Sequence, residues 1–202
     1  MFNGLIRELA FVKSYQNNTL RLKASYKPKL GDSIAVNGAC LSVTKLFDDG
    51  FNLELSYETR THIAIENLKD YVHIEPALAY GDRIDGHLMQ GHIDGIGEIT
   101  NISKKENGVD FYIKCPDDIQ IYMANKASVA IDGVSLTINE VLKNGIRLTI
   151  IPITFNETLF KDYTIGRRVN IESDLLARYI HRQLNYKKEI SWQQIDKITS
   201  LY

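Results

Sequence analysis

The chain has 202 residues, of which 44% are apolar and 24% charged, and its formal net charge is −1. This balance lacks the basic stripe that phosphate binding requires, so we expect no nucleic-acid partner. The two cysteines show no CxxC or His-rich spacing, which argues against a metal site and predicts reduced thiols in a cytoplasmic protein. A signal-peptide pattern is missing, and no run approaches the ~20 apolar residues of a membrane span, so we expect no membrane partner.

The first half of the chain returns in the second half. Residues 33–43, SIAVNGACLSV, match residues 128–138, SVAIDGVSLTI, at a constant offset of 95. A repeat of this length exceeds the roughly 20 to 50 residues of solenoid units and suits two tandem domains. We therefore expect domains at 1–88 and 89–173, followed by a tail at 174–202.

The repeat extends to both sides of this segment. At the start, Gly4 in FNGLI pairs with Gly95 in IDGIG as the residue that opens each half. Further along, the alternating run at 51–59 matches that at 146–154, and the motif YVHIE returns as RVNIE at an offset of 97. The sequence therefore predicts one architecture built twice, with two similar pockets for two similar molecules.

Most segments predict β-strands. The segments SIAVNGACLSVTKL, FNLELSY, VDFYIKC and IRLTIIPI alternate or bunch β-branched residues between the turn signals DDG, ENG and KNG. Short strands at this spacing are typical of a small barrel or sandwich. A barrel is favoured because it leaves fewer sheet edges to protect. The fold class is therefore all-β, with two tandem barrels and a C-terminal α-helical tail.

The tail predicts helix. Ser173 and Asp174 fit the cap of a first turn, and a capping box at 191–194 predicts further helix. An apolar stripe follows helical spacing at Leu176, Tyr179, Ile180, Gln183 and Leu184. This stripe either packs on the second domain of its own chain or mediates self-association. The repeat contains no second helix with which it could pair, so self-association is at least as well supported as packing within the chain.

Four segments together resemble riboflavin synthase of the α-chain type: MFNGLI, NGACLSVT, GHLMQGHIDGIGEI and IDGVSLTIN. The resemblance spans essentially the whole chain. It implies six-stranded Greek-key barrels related by pseudo-twofold symmetry and a homotrimer formed through the C-terminal helices. An active site would form where the N-terminal barrel of one chain meets the C-terminal barrel of the next.

The resemblance also implies a transferase activity. One molecule of 6,7-dimethyl-8-ribityllumazine would transfer a four-carbon unit to a second, giving riboflavin and 5-amino-6-(D-ribitylamino)uracil. No cofactor is expected, and lumazine synthase is a candidate partner. Because donor and acceptor are identical molecules, two facing pockets of similar shape would serve the reaction. The sequence leaves open which barrel holds the donor.

The resemblance assigns substrate contacts to both halves. The first half, together with the central motif that begins the second half, supplies the opening segment, a strand serine, a polar pair around a leucine, the ELSYET stretch and three residues of that motif: Gly4, Leu5, Ile6, Ser33, Cys40, Leu41, Ser42, Glu54, Leu55, Ser56, Tyr57, Glu58, Thr59, Gly91, His92 and Ile93. The second half supplies their counterparts and two further polar residues: Lys126, Ser135, Leu136, Thr137, Ile150, Ile151, Pro152, Ile153, Thr154, Phe155 and Asp174. The ELSYET stretch and its counterpart are expected to hold the ribityl chains.

Three of these residues are catalytic candidates. His92 is the candidate for taking a proton from the 7-methyl group of the substrate, because imidazole titrates near neutrality. His87 is its competitor and is interpreted as a structural residue between the domains. Cys40 either polarises the acceptor or adds to the ring, and polarisation is favoured because the sequence identifies no cation or helix terminus beside it. Ser33 is expected as a hydroxyl that contacts the substrate.

A lumazine protein is the alternative, because such proteins share the duplicated fold and bind a fluorophore without catalysis. Two features favour the enzyme. Both halves carry a small polar pair, Cys40 with Ser42 and Ser135 with Thr137, and His92 is present. A scaffold protein would need neither feature. Asp174 can serve both as helix cap and as ligand contact.

Overall fold

The computed structural model describes residues 1–186, which form two closed β-barrels and a terminal helix. The strands of the first barrel are β1 (Glu8–Gln16), β2 (Thr19–Lys23), β3 (Ser33–Val36), β4 (Ala39–Phe47), β5 (Gly50–Glu54) and β6 (Tyr71–Pro76). Those of the second barrel are β7 (Gly95–Lys105), β8 (Gly108–Lys114), β9 (Ser128–Ile131), β10 (Val134–Leu142), β11 (Gly145–Ile150) and β12 (Arg168–Ser173). The helices are α1 (Tyr57–His62), α2 (Asp117–Gln120), α3 (Pro152–Glu157) and α4 (Leu175–Leu184). The capping box predicted at 191–194 lies outside the described residues.

Both barrels have the same Greek-key order. The first runs β1-β2-β5-β4-β3-β6 and the second β7-β8-β11-β10-β9-β12, each closed on itself and antiparallel throughout. In each, three hairpin-connected strands are followed by a fourth that returns beside the first of them. Register shifts fall at equivalent places, at Val12/Ser14 in the first barrel and at Ile99/Asn101 in the second. The two six-stranded barrels that the resemblance implies are confirmed.

Alternating side chains fill each barrel with its own core. Inward positions along the strands are apolar, because successive residues of a strand point to opposite faces. In the first barrel the fully buried side chains include Leu20, Leu22, Phe51 and Leu53, and in the second Phe111, Ile113, Ile146 and Leu148. Each core is closed, so ligand-binding groups must lie on the outer faces of the strands and at the strand ends.

Two of the alternating runs end earlier than the sequence predicts. β5 stops at Glu54 and β11 at Ile150, after which the chain forms α1 and α3. Ser56 caps α1 by accepting a hydrogen bond from the Thr59 N–H at 3.0 Å. Pro152 occupies the first turn of α3, where the missing N–H costs nothing. The expectation of strand through Tyr57 and Ile153 was therefore wrong.

The two barrels meet at back-to-back turns. Gly38 and Gly133 have φ values of +85° and +81°, and a Cβ on either would lie 2.8 or 2.7 Å from the backbone nitrogen of the other. Only glycine combines this backbone conformation with so close an approach. The approach is reciprocal, which places the turns on the pseudo-twofold axis.

Buried side chains repeat this reciprocity. Asn170 donates from Nδ2 to the Asn37 carbonyl at 2.8 Å and accepts at Oδ1 from the Ala64 N–H at 2.7 Å. His73 lies 2.8 Å from the Asp132 carbonyl through Nδ1 and accepts the Leu159 N–H at Nε2, also at 2.8 Å. Since Nε2 accepts, the proton of the neutral ring is on Nδ1. The His73 imidazole in the first half thus takes the place that the Asn170 amide has in the second half.

Helix α4 exposes the apolar stripe predicted for the tail. Asp174 caps it by accepting from the Leu176 N–H at 2.8 Å. Leu176, Tyr179, Ile180 and Leu184 are 57 to 80% exposed. In the described part of the chain these side chains are therefore mostly exposed, and the stripe is left open to another partner. None of the helices within residues 1–186 is both long and apolar enough to cross a membrane.

Candidate functional site

Two short segments cross from one barrel to the other. The Gly4 carbonyl, at the start of the first half, accepts from the Ser135 N–H of the second barrel at 3.0 Å. The Gly91 carbonyl, at the start of the second half, accepts from the Cys40 N–H of the first barrel at 2.8 Å. Gly4 therefore corresponds to Gly91, and the predicted pairing with Gly95 was wrong. Gly95 begins β7, as Glu8 begins β1.

A buried carboxylate fixes each crossing segment. In the first barrel, Glu75 accepts from the Asn3 N–H at 2.7 Å and from the Gly4 N–H at 3.0 Å. Burial raises the pKa of Glu75 to about 7, against the opposing effect of these N–H donors. The carboxylate thus holds the Gly4 segment with both oxygens.

Glu172 does the same in the second barrel. It accepts from the Gln90 N–H at 2.7 Å and from the Gly91 N–H at 2.9 Å. Burial raises its pKa to about 6, and the backbone donors and then the positive charge of Arg178 oppose this rise. The two crossing segments are therefore anchored alike, apart from the arginine.

The first half-site is the cleft where the Gly91 segment covers the first barrel. It has a volume of about 590 Å³. Its lining comes from β4, α1 and the crossing segment: Ala39, Cys40, Ser56, Glu58, Thr59, His62, Ile63, Gly91, His92, Ile93 and Asp94. The structure thus brings seven of the predicted site residues into one cleft: Cys40, Ser56, Glu58, Thr59, Gly91, His92 and Ile93.

Cys40 lines this cleft and is half-buried. A Cβ on Gly91, whose φ is +77°, would lie 2.6 Å from the Cys40 Cβ, so only glycine allows the segment to come this close. Ser42 faces outward on the same side of β4, and Ser33 is its direct partner on β3. Three small polar side chains therefore share one outer face, as their spacing predicts.

Other predicted residues face elsewhere. The side chains of Leu41, Leu55 and Ile150 are at most 3% exposed and belong to the barrel cores. Such residues can reach a ligand only through their backbone. Glu54 and Tyr57 are exposed beside the cleft without lining it.

Helix α1 supplies hydroxyl, carboxylate and imidazole groups to the rim of the cleft. Ser56 Oγ and Thr59 Oγ1 are 2.9 Å apart, so the two hydroxyls share a hydrogen bond. His62 Nδ1 lies 2.9 Å from the Glu58 carbonyl one turn earlier. Sequence reasoning gave His62 no role. The signal that was available is its position four residues after Glu58, which places both on one helix face.

The second half-site is the equivalent surface of the second barrel, where the Gly4 segment, with Leu5 and Ile6, meets Ser135. His87 Nδ1 lies 2.7 Å from Ser135 Oγ. His87 is 9% exposed, and its Nε2 atom has no hydrogen-bond partner among the described residues. Burial lowers its pKa, and the Asp174 carboxylate opposes this. The interpretation of His87 as a structural residue missed this contact with a predicted site residue.

The remaining predicted residues of the second half flank this surface. Ile151 and Ile153 are more than half exposed, whereas Thr154 and Phe155 are half-buried. The residues on β10 follow the pattern of their counterparts, with Leu136 turned to the core and Thr137 exposed. Pro152 is exposed in the first turn of α3.

Lys126 has an unusual backbone. It is exposed with φ +70°, and its counterpart is Gly31 with φ +84°. Its N–H donates to the Ile138 carbonyl at 2.7 Å, and the Gly31 N–H donates to the Val43 carbonyl at 2.9 Å. The turn is therefore the same in both halves, and only the second half places a cation there.

A larger depression of about 750 Å³ lies elsewhere on the first barrel. Its charged groups are partly paired, as in the 2.9 Å ion pair between Lys13 and Asp49. None of the predicted site residues lines it. We therefore take the two half-sites as the candidate functional site.

The Lumazine binding domain family matches residues 3–77 and 90–174. The fold and the duplicated half-sites thus define a tandem lumazine-binding protein. Riboflavin synthase of Photobacterium phosphoreum is 42% identical to the chain, and the match covers 91% of the chain and 89% of that protein. Riboflavin synthase of Bacillus subtilis (strain 168) is 36% identical, covering 96% of the chain and 94% of that protein. The chain belongs to the riboflavin synthase family.

Solved structures of LumP have the same fold. The structure of LumP with riboflavin superposes with a TM-score of 0.76 at 22% identity, covering 86% of the chain and 99% of LumP. LumP with 6,7-dimethyl-8-(1'-D-ribityl) lumazine gives a TM-score of 0.73 at the same identity and coverage. At this identity the likeness concerns the fold alone. The riboflavin synthases are more similar in sequence, and they favour the enzyme over the binding protein.

Proposed function

We propose that the chain is a transferase that converts two molecules of 6,7-dimethyl-8-ribityllumazine into riboflavin and 5-amino-6-(D-ribitylamino)uracil. The observation that carries this is the reciprocal crossing: the Gly4 carbonyl bonds to Ser135 and the Gly91 carbonyl to Cys40. Two half-sites with equivalent backbones suit two identical molecules. Holding two rings in reacting geometry supplies roughly 7 to 11 kcal/mol of the barrier through proximity and orientation.

We assign the proton transfer to His92. It is exposed at the rim of the first half-site, in the segment that covers Cys40. A ring bound over Cys40 would present its acidic methyl group to this rim. The half-buried thiol, together with Ser33 and Ser42, would bind the polar edge of the ring, which favours polarisation over covalent addition for Cys40.

The hydroxyls of Ser56 and Thr59 are suited to the ribityl chain. They already share one hydrogen bond at 2.9 Å, and a polyol can replace it with bonds of its own. Leaving a ligand hydroxyl buried without a partner would cost roughly 1 to 3 kcal/mol, so paired hydroxyls at this place favour a polyol ligand. In the second half-site, Ser135, Thr137 and Asp174 offer the corresponding polar groups, and Lys126 adds a cation.

The direct test is to mix the protein with 6,7-dimethyl-8-ribityllumazine and follow both absorbance and products. Two molecules of substrate should disappear for each riboflavin formed. Tight binding without turnover would contradict the enzyme and support the lumazine-protein alternative. Consumption of one substrate molecule per riboflavin would exclude the proposed dismutation.

Assembly as a homotrimer belongs to the same proposal. The exposed stripe on α4, with Leu176 68% and Leu184 80% exposed, supports self-association through this helix. Removal of residues 174–202 should give monomers with little activity, as measured by sedimentation and by riboflavin formation. A fully active monomer would contradict a site shared between chains. Cytoplasmic location and association with lumazine synthase stay predictions.

A further inference from the structure

Arg178, in the first half of α4, bonds to both ends of the segment that carries His92. Its Nη2 atom donates to Gln90 Oε1 at 3.0 Å, and its Nη1 atom donates to Asp94 Oδ1, also at 3.0 Å. The same guanidinium lies 3.7 Å from the buried Glu172 carboxylate. His92 is midway between the two contacts in the sequence. One side chain of α4 therefore spans the whole segment.

The Asp94 end has a second attachment beside α4. Ser173, the residue before the helix cap, donates to Asp94 Oδ2 from its N–H at 2.7 Å and from its hydroxyl at 2.6 Å. The side chain of Asp94 is only 14% exposed. Its two oxygens are thus divided between the start of the helix and Arg178. Charge-assisted hydrogen bonds of this kind are stronger than neutral ones and are directional.

The first barrel lacks this arrangement. At the offset of 87 that relates Gly4 to Gly91, the counterpart of Asp94 is Arg7, and at the offset of 97 the counterpart of Ser173 is Pro76. Both crossing segments have a buried glutamate, but among the described residues only the segment with His92 is also tied to a helix. The attachment is therefore found on the segment that carries the catalytic candidate, and the fold does not require it in both halves.

We propose that Arg178 is a positioning residue, which makes the placement of His92 at the cleft that contains Cys40 depend on helix α4. That this placement matters for catalysis rests on the proposed function. That Arg178 holds the segment in place does not depend on it. Because α4 also carries the exposed apolar stripe, a change in how this helix associates is transmitted to the first half-site through Arg178. The guanidinium links assembly to the site.

Alkylation of Cys40 measures the placement without any reference to activity. The Gly91 carbonyl accepts the Cys40 N–H at 2.8 Å, and a Cβ on Gly91 would lie 2.6 Å from the Cys40 Cβ, so the segment packs against Cys40 and limits access to its side chain. In Arg178→Gln, we expect iodoacetamide to modify Cys40 about tenfold faster than in the wild type, because the segment opens more often. Cys115, 3% exposed, is the internal reference for global unfolding. Arg182→Gln, one turn later on α4, is the matched control and should react at the wild-type rate.

Kinetics measure the consequence for His92. Arg178→Gln should lower kcat about 10- to 100-fold and change KM less than about threefold, since Cys40, Ser56 and Thr59 lie outside the segment and keep their places in the cleft. Arg178→Lys keeps the charge but loses the two-armed geometry, so its kcat should be intermediate. Asp94→Asn tests the same contact from the other side. The losses of kcat in the double variant should be less than additive, because both single variants remove the contact between Arg178 and Asp94.

The outcomes are distinct. Wild-type alkylation in both Arg178→Gln and Asp94→Asn, with folded protein, would overturn the proposal, and so would fully additive losses of kcat. Faster alkylation that is confined to these variants supports it. If the wild-type chain makes no riboflavin, the proposed function fails, yet the thiol measurement still decides whether Arg178 positions the segment. If Arg178→Gln does not fold, Arg178→Lys and Asp94→Asn carry the same test.

Discussion

The first and second half-sites share a backbone and differ in chemistry. Cys40 in the first corresponds to Ser135 in the second, and His92 corresponds to Leu5. On the helices that follow β5 and β11, Glu58 corresponds to Ile153, which is 66% exposed. At these positions the first half-site carries a thiol, an imidazole and a carboxylate, whereas the second carries a hydroxyl and two apolar side chains. The ionisable groups of the second half-site, His87 and Asp174, come from other positions.

This difference shows which parts of a duplicated site are free to change. The contacts that shape both half-sites come from backbone carbonyls and from Glu75 and Glu172, which bond to backbone N–H groups. Side chains that face the ligand make none of these contacts, so they can diverge without moving the backbone. Two identical substrate molecules can then be treated differently. Four measurements test how far the two halves of the chain have diverged.

The largest expected effect is on turnover in His92→Gln. Loss of a positioned acid-base group typically costs 10²- to 10⁴-fold, so we expect kcat to fall by roughly that factor while substrate affinity changes little. His62→Gln, in the same cleft, is the matched control and should lose much less. Stopped-flow turnover and equilibrium titration separate the two quantities. An unchanged kcat in His92→Gln would remove this residue from proton transfer.

The next effect concerns stability and pH at the junction of the barrels. Burial lowers the pKa of His73 from 6.5 to about 4. The unfolded chain therefore binds a proton that the folded chain does not, and the stabilisation by neutral His73 is lost as the pH falls from 6.5 towards 4. This loss is on the order of 3 kcal/mol.

The raised pKa values of Glu75, Glu172 and Asp132 act in the opposite direction, so the measurement must compare variants. His73→Asn introduces the side chain that the other half uses, Asn170. Urea unfolding at pH 7.5 and pH 4.5 should show that the wild type loses most of its advantage over the variant at the lower pH. An equal difference at both values would mean that His73 does not stay neutral.

A smaller effect is expected in the second half-site. Ser135→Ala and His87→Leu each remove one partner of the 2.7 Å contact, and we expect the affinity of this half-site for the ribityllumazine to fall by about 1 to 2 kcal/mol. His87→Gln retains a donor and should bind more nearly as the wild type does. Calorimetric titration resolves two classes of site if the half-sites differ in affinity. Equal weakening of both classes would contradict an independent second half-site.

The smallest effect concerns the two buried glutamates. The pKa values of Glu75 and Glu172, about 7 and about 6, differ in the direction that the positive charge of Arg178 predicts. Carbon-13 NMR of the carboxyl groups should therefore show Glu75 titrating at the higher pH. In Arg178→Gln the pKa of Glu172 should rise towards that of Glu75, whereas Arg182→Gln should leave it unchanged. A Glu172 pKa that does not respond to Arg178→Gln would show that the difference has another cause.

Much of the fold could be predicted from the sequence, because the repeat carries its own register. The 95-residue offset between Ser33 and Ser128 places equivalent strands in both barrels, and Asp174 is recognisable as a helix cap. The strand ends were harder to predict. Leu55 continues the apolar alternation beyond β5 and is buried, so its pattern does not distinguish the end of a strand from the approach to a helix.

The site was only partly predictable. Family resemblance identified Cys40 and His92, but the crossing of the Gly4 and Gly91 segments depends on which barrel each segment covers, and a short segment has no periodicity that reveals this. The contact between His87 and Ser135 was missed for a related reason. His87 lies in the connection between the barrels, which occurs once in the chain, so the repeat offers no counterpart for comparison.

The crossing segments also bear on how the molecule unfolds. Each barrel is covered by a strip of chain that belongs to its neighbour, and the seam is closed by backbone hydrogen bonds of 3.0 Å at Gly4 and 2.8 Å at Gly91. Neither barrel can melt without removing the cover from the other. Heating should therefore produce one concerted transition in the calorimeter, and a destabilising change in either half should lower the melting temperature of the whole.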